Sequence, residues 1–173
     1  IIKDFNGIVV VDEAYIDFSS ERGFASDVEE FENLVVLRTL SKAWGMAGIR
    51  VGFAVASEVI IKLLNKIKFP YNVNILSQDK AVELLTRGNL KQVEAIILER
   101  ERLLSVLATL PDIYQVYPSQ ANFLLVKFRD NRKVYSNLLE KGIVVRDLSL
   151  LQGCEDTLRI SIGTKSANDL LID

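Results

Sequence analysis

Gly7-Ile-Val-Val-Val-Asp-Glu-Ala-Tyr15 limits the fold more than any other segment. It is a continuous apolar run, bounded by Gly7 and closed by acids. Such a run lacks the polar alternation of a strand with one wet face. It reads as a buried strand of a parallel sheet, and hence as part of an α/β fold. Asp12 then stands at the carboxyl end of that strand, where open α/β sheets place their ligands.

A carboxylate in that position holds a pyridine nitrogen protonated, since each charge favours the charged form of its partner. Tyr15, three residues on, could donate a hydrogen bond to the phenolic oxygen of such a ring. The same run also fits the magnesium-holding strand of a nucleotide hydrolase. That reading requires a Gly-x-x-x-x-Gly-Lys-Ser/Thr loop, which the chain does not contain.

The second informative segment is Thr39-Leu-Ser-Lys-Ala-Trp-Gly-Met-Ala-Gly-Ile-Arg-Val-Gly-Phe53. Lys42 follows a hydroxyl residue, small residues and glycines come next, and Arg50 arrives eight residues later. A lysine amine forms imines with aldehydes once its surroundings favour the neutral form. Hydroxyls and a guanidinium suit a phosphate, and glycines let the backbone approach it. A lysine after a serine is also an ordinary solvated surface residue, so this segment alone leaves both readings open.

Taken together, Val-Val-Val-Asp-Glu-Ala-Tyr15 and Leu37-Arg-Thr-Leu-Ser-Lys-Ala-Trp-Gly-Met-Ala-Gly-Ile-Arg-Val-Gly-Phe53 resemble the fold-type I pyridoxal phosphate aminotransferases. The resemblance continues through Pro70-Tyr-Asn-Val-Asn74, Ala121-Asn-Phe-Leu-Leu125, Val144-Val-Arg-Asp147 and Leu158-Arg-Ile-Ser-Ile-Gly-Thr164. Within the family the histidinol-phosphate branch is nearest. Aromatic aminotransferases and threonine-phosphate decarboxylases share much of the pattern.

The resemblance implies pyridoxal 5'-phosphate as cofactor and a role for each matching residue. Lys42 is implied as the lysine that bonds the cofactor and carries the proton. Asp12 is implied as the pyridinium partner and Tyr15 as the contact to the ring oxygen. Thr39, Ser41 and Arg50 are implied as phosphate ligands. Arg159 is implied as the clamp on the anionic end of the substrate, and Arg146 as a second anion contact. In Leu158-Arg-Ile-Ser-Ile162 the apolar residues alternate, so a solvated strand arginine would read the same way at 159.

The implied reaction moves an amino group between glutamate/2-oxoglutarate and histidinol phosphate/imidazole-acetol phosphate, in a cytoplasmic homodimer. Other reactions of the same cofactor remain open at this point, as does an inactive assembly module.

Composition removes several other classes. The 173 residues contain no His and a single Cys, with a formal charge of -2. Ser-His-Asp and Cys-His catalysis, histidine metal sites, multi-cysteine zinc sites and internal disulfides are excluded. The charge balance carries no basic footprint for nucleic acid. No apolar run approaches the roughly 20 residues that span a membrane, and no signal-peptide features are evident.

Periodicity predicts strands at 8–12, 34–38 and 51–56, with a loop and short helix over 19–32. Helices are predicted over 57–67 and 75–87, and a third from Asn89 to about Thr109. Its stripe is Leu90, Val93, Ile96, Ile97, Leu103, Leu104 and Leu107, with a solvated face of Glu and Arg residues. Strands at 114–117, 122–127, 143–146 and 158–162 follow. A helix over 131–141 should end at Gly142, and another should begin near Ser166.

The expected organisation is part of a large cofactor-binding domain with a mostly parallel sheet flanked by helices (1–73), connecting helices (74–110) and a small α+β domain (111–173). The resembled family carries a long portion before the point matching Ile1. The chain is therefore expected to be the carboxyl-terminal part of a longer enzyme.

Overall fold

The apolar run forms a strand, Val9–Asp12 (β1), which pairs in parallel with Leu34–Thr39 (β2) from Val9↔Leu34 to Asp12↔Leu37. This is the parallel pairing the run predicts. β2 also pairs antiparallel with Gly52–Ala56 (β3), ending at Thr39↔Gly52. The computed structural model describes the backbone of residues 1–173 and every side chain except that of Leu90. It divides into two units, Ile1–Leu90 and Lys91–Asp173.

In the first unit, residues 13–33 carry the chain from the end of β1 to the start of β2. They form two short 3-10 turns, Ile16–Phe18 and Ala25–Glu29. Val28 from the second turn packs with Leu34 and Val36, joined by Val11, Phe31 and Val55. Those residues cover one face of the sheet. Burial on both faces does not hold for β1: Val10 is 56% exposed. Its side chain alternates away from the covered face, as period-2 geometry requires.

Glu58–Ile67 (α1) follows β3 and stops before Phe69-Pro70, where the proline disfavours a helical conformation in the preceding residue. Ile75–Arg87 (α2) starts at Asn74, whose side chain accepts from the Ser77 N–H at 2.9 Å. It ends at Gly88, with φ of 74°.

The second unit opens within Leu90–Leu107 (α3), from Lys91 on. Val93, Leu103 and Leu107 are buried as the helical stripe predicts; the Leu90 side chain lies outside the described residues. One member of the supposed solvated face is not solvated. Arg100 is only 6% exposed, and its guanidinium donates to the Ala121 carbonyl at 3.1 Å.

Four antiparallel strands form the sheet: Ile113–Val116 (β4), Phe123–Phe128 (β5), Arg146–Asp147 (β6) and Thr157–Ser161 (β7), in the order β4-β5-β7-β6. Leu124, Val126, Leu158 and Ile160 face a core that includes Leu103, Leu107 and Leu138. Asn131–Glu140 (α4) is capped by Asp130, and Lys165–Ile172 (α5) by Thr164.

The strand predicted over 143–146 shrinks to β6. The Ile143 N–H turns back to the Leu138 carbonyl at 2.8 Å, closing the end of α4, while Gly142 takes φ of 74°. That helix-ending geometry uses the first residue of the apolar run and leaves Val144 exposed.

Candidate active site

Parallel pairing puts the carboxyl ends of β1 and β2 at one edge of the sheet. Asp12 ends β1, and Thr39 ends β2. Lys42 follows three residues later, with its Nζ 5.3 Å from the centroid of the Tyr15 ring. At that distance the ammonium is attracted by the ring face. Residues 27 positions apart in sequence thus meet because both strands end there. Asp12 Oδ1 accepts from the Ala14 N–H at 2.9 Å, which fixes the turn that carries Tyr15.

The two hydroxyls lie together. Thr39 Oγ1 donates to Ser41 Oγ at 2.9 Å and accepts from the Ser41 N–H at 3.1 Å. Arg50 lies on the returning segment. The Val51 carbonyl accepts from the Leu40 N–H at 3.1 Å, so the backbone of Arg50 runs beside the hydroxyl pair.

Arg50 itself adopts φ of 56°. A non-glycine residue in the left-handed region carries strain of order 1–3 kcal/mol and persists only where its surroundings hold it. Its guanidinium donates to the Ala47 carbonyl at 3.0 Å and remains exposed.

Packing holds the lysine loop below its tip. Leu40 and Met46 are buried with Ala81 of α2, and Trp44, Ile49, Val51 and Leu84 pack around them. The Met46 N–H reaches the Leu40 carbonyl at 3.0 Å, and Gly45 turns the chain at φ of 65°. Asn89 Nδ2 donates to the Ala43 carbonyl at 3.1 Å, tying the residue after Lys42 to the end of α2. Lys42 stays exposed while its neighbour Ala43 is buried.

Glu13 was not singled out by its sequence context, yet it is the most buried acid at this edge. It is 6% exposed and accepts from Arg38 at both Nε (2.9 Å) and Nη2 (2.8 Å). It also accepts from the Phe24 N–H. A Cβ on Gly23 would lie 2.6 Å from Glu13 Oε1, so only glycine lets that loop close on the carboxylate. Glu13 separates Asp12 from the Tyr15 turn, and its pairing locks the end of β1 to β2. The sequence signal was the second acid of Asp-Glu; its partners Arg38 and Gly23 are not readable from spacing.

Within the second unit, Arg146 and Arg159 are direct partners across β6 and β7. Side chains directly opposite in an antiparallel pair lie about 5 Å apart at Cβ, and like charges there repel. Arg159 is half-buried, its guanidinium carbon stands 5.3 Å from the centroid of the Phe123 ring, and its Nε is buried without a hydrogen-bond partner. The alternation of β7 therefore does not make Arg159 a freely solvated residue.

Asp147, next to Arg146, is held below the usual carboxylate range. The Ser149 hydroxyl hydrogen bond is the main cause, then the Ser149 N–H, with Asn131 adding to them. It is thus committed to the turn and is no counterion made for Arg146.

The first unit's donor set fits a phosphorylated pyridine aldehyde. It offers one amine, one carboxylate at a strand end, one phenol, a pair of hydroxyls and a guanidinium on a fixed turn. No helix among the described residues is long and apolar enough to cross a membrane. No group of three or more metal-ligating side chains is placed among them to hold an ion.

The chain belongs to a family whose model, Aminotransferase class I and II, matches residues 1–173. It is 55% identical over 175 residues to the histidinol-phosphate aminotransferase of Parabacteroides distasonis, covering 100% of this chain and 51% of that protein. The crystal structure of the histidinol-phosphate aminotransferase from Clostridium acetobutylicum matches with a TM-score of 0.86 at 25% identity, over 95% of this chain and 52% of that one. The enzyme of that name from Sinorhizobium meliloti, solved in complex with pyridoxal-5'-phosphate, matches with a TM-score of 0.82 at 25% identity, over 95% and 46%. The chain spans about half the length of the curated relatives it matches.

Proposed function

We propose that this class I and II aminotransferase chain supplies the lysine-bearing part of a pyridoxal phosphate enzyme that exchanges an amino group between glutamate/2-oxoglutarate and histidinol phosphate/imidazole-acetol phosphate. The observation that carries this reading is Lys42 Nζ at 5.3 Å from the Tyr15 ring, on a loop that follows Thr39 and Ser41 at the sheet edge where Asp12 also ends. The 55% identity over the whole chain to a histidinol-phosphate aminotransferase supports the choice of substrates. The expected setting is a cytoplasmic homodimer.

When bound, pyridoxal phosphate supplies an aldehyde carbon for amine exchange and a pyridinium ring that withdraws electrons from the substrate α-carbon. Lys42 is the residue that holds that aldehyde between turnovers. Its free amine would move the proton at the substrate α-carbon. Asp12 would face the ring nitrogen, its opposite charge favouring the protonated ring. Tyr15 donates its hydroxyl to the ring oxygen. Thr39, Ser41 and Arg50 bind the phosphate, the left-handed turn at Arg50 setting its guanidinium on a rigid frame. Arg159 and Arg146 bind the carboxylate or phosphate that the substrate carries away from its amine.

Borohydride reduction of the full-length enzyme in the presence of pyridoxal phosphate tests this reading. A single adduct mapped to the peptide containing Lys42 is expected. A single adduct on another lysine would overturn the assignment. Turnover with histidinol phosphate and 2-oxoglutarate, followed by glutamate release, tests the substrate pair; carbon dioxide release from an amino acid phosphate would replace transamination by decarboxylation.

A further inference from the structure

The arginine pair rests on a support that the roles above do not include. Arg159 has its guanidinium carbon 5.3 Å from the centre of the Phe123 ring, and its Nε–H is buried with no acceptor. Buried guanidinium groups normally meet a carboxylate; among the described residues, Arg159 forms no salt bridge. An aromatic face is a different kind of partner. It attracts the cation without cancelling its charge and without occupying any N–H.

The strand register explains the contact. Leu125 is the direct partner of Arg159, and Phe123 the direct partner of Ser161. Phe123 is thus the diagonal neighbour of Arg159 on the same face, a separation long and aromatic side chains bridge. The opposite face of β5, carrying Leu124 and Val126, is fully buried and fixes the strand. Just before Phe123, the turn is pinned by Arg100, which donates to the Ala121 carbonyl, and by Ser119 Oγ, which donates to the Phe123 carbonyl at 2.6 Å. The buried arginine of α3 therefore holds the turn that presents the ring.

We propose that Phe123 is a positioning residue for anion recognition: its ring face orients the Arg159 guanidinium beside Arg146 in place of an acidic partner, leaving the positive charge for the carboxylate or phosphate of the substrate. An acid at that position would neutralise the guanidinium and compete with the ligand. An aliphatic residue would fill the volume but let the guanidinium swing. This inference rests on the assignment of Arg159 as the substrate's anion contact.

The test compares Phe123→Leu, Phe123→Tyr and wild type in the full-length enzyme, with two readouts. One is KM and kcat for glutamate and histidinol phosphate. The other is calorimetric binding of glutarate, a dianion without an amine, which needs no turnover. Phe123→Leu should weaken glutarate binding and raise KM by about 10-fold, within the roughly 2- to 30-fold spanned by exposed and desolvated cation–π pairs. Its kcat should stay within about 2-fold, and Phe123→Tyr, which keeps the ring, should restore wild-type KM. Should Phe123→Leu fail to fold, Phe123→Met takes its place.

An unmoved KM with unmoved glutarate binding, a fall in kcat alone, or a failure of Phe123→Tyr to restore KM would each overturn the platform. Wild-type enzyme that binds glutarate but turns over neither substrate would refute the proposed reaction, and the glutarate comparison would still decide the platform. Wild-type enzyme that binds no glutarate would overturn it.

Discussion

Removing the Glu13 carboxylate should loosen the edge of the sheet that carries the lysine site. The Glu13 side chain is 4% exposed and that of Arg38 is 27% exposed. Glu13→Ala deletes the acceptor of two Arg38 N–H groups and of the Phe24 N–H at once. Breaking a buried pair by deleting one partner costs about 3–5 kcal/mol. Arg38 keeps enough exposure to recover part of its hydration, which places the expected loss near the low end, about 3 kcal/mol.

Glu13→Gln keeps an acceptor for Phe24 but turns its amide NH2 toward the Arg38 N–H groups, so the pair with Arg38 is lost. Its loss should be about 2 kcal/mol, the scale of hydrogen bonds to charged groups. Urea unfolding of the full-length apoenzyme, with the Glu13→Gln, Arg38→Met and double variants, isolates the pair. The double variant should be less destabilised than the sum of the singles by about 2 kcal/mol. Hydrogen exchange should show the Phe24 amide losing protection in Glu13→Ala. Additivity within about 0.5 kcal/mol, with Phe24 protection unchanged, would refute the claim that this pair ties β1 to β2.

Lys42→Ala in the full-length enzyme should abolish the proposed transamination and leave the fold in place, because its exposed side chain gives up a single ring contact, with Tyr15, among the described residues; wild-type turnover with unchanged circular dichroism would sink the mechanism. Gly52→Ala would put a Cβ 2.9 Å from the Arg38 carbonyl oxygen beside Thr39. The strands must shift, a loss of about 1–3 kcal/mol is expected for such overpacking, and pyridoxal phosphate should bind more weakly in a fluorescence titration. A variant that unfolds and binds like wild type would refute that crowding.

Acid should destabilise the second unit through Glu99 and Asp169. The Arg102 hydrogen bond is the chief cause of the lowered Glu99 value, and the Lys165 hydrogen bond of the lowered Asp169 value. Both folded values lie below the ordinary 4.5 and 3.8, so their contribution is full above those values and is lost as pH falls through the folded ones. Near-ultraviolet circular dichroism against pH should show resistance to urea flat near neutrality and falling below about pH 4.5, with a shallower fall in Arg102→Met. Equal slopes in both proteins would remove the network from the account.

Local chemistry made much of this molecule legible in its sequence. The β-branched run of β1, the Asn74 cap of α2 and the glycine after α4 each state their structure within a few residues. The lysine loop has the same local character: its hydroxyls, glycines and lysine lie in one stretch, and the cofactor chemistry proposed for them is local. Failures fall where a residue's meaning depends on a distant partner.

Arg100 looks like any helical surface arginine until the Ala121 carbonyl, 21 residues away, arrives beside it. Glu13 looks like a second strand-end acid until Arg38 and Gly23 close on it. Arg159 shows the same limit in its sharpest form. Its alternation along β7 is equally that of a solvated residue, and only the register that brings Phe123 beneath it and Arg146 opposite it separates the two. Two cations paired across strands, with one Nε buried and unsatisfied, are destabilising in isolation. On the proposed anion-binding reading, the compensation for such an arrangement lies in the ligand. The stability cost and the affinity for anions are therefore two readings of one arrangement. Replacing Arg146 by Gln should raise stability of the ligand-free enzyme slightly while weakening glutarate binding. If the same substitution lowered both, the pair would be a structural feature and the anion reading of these strands would fall.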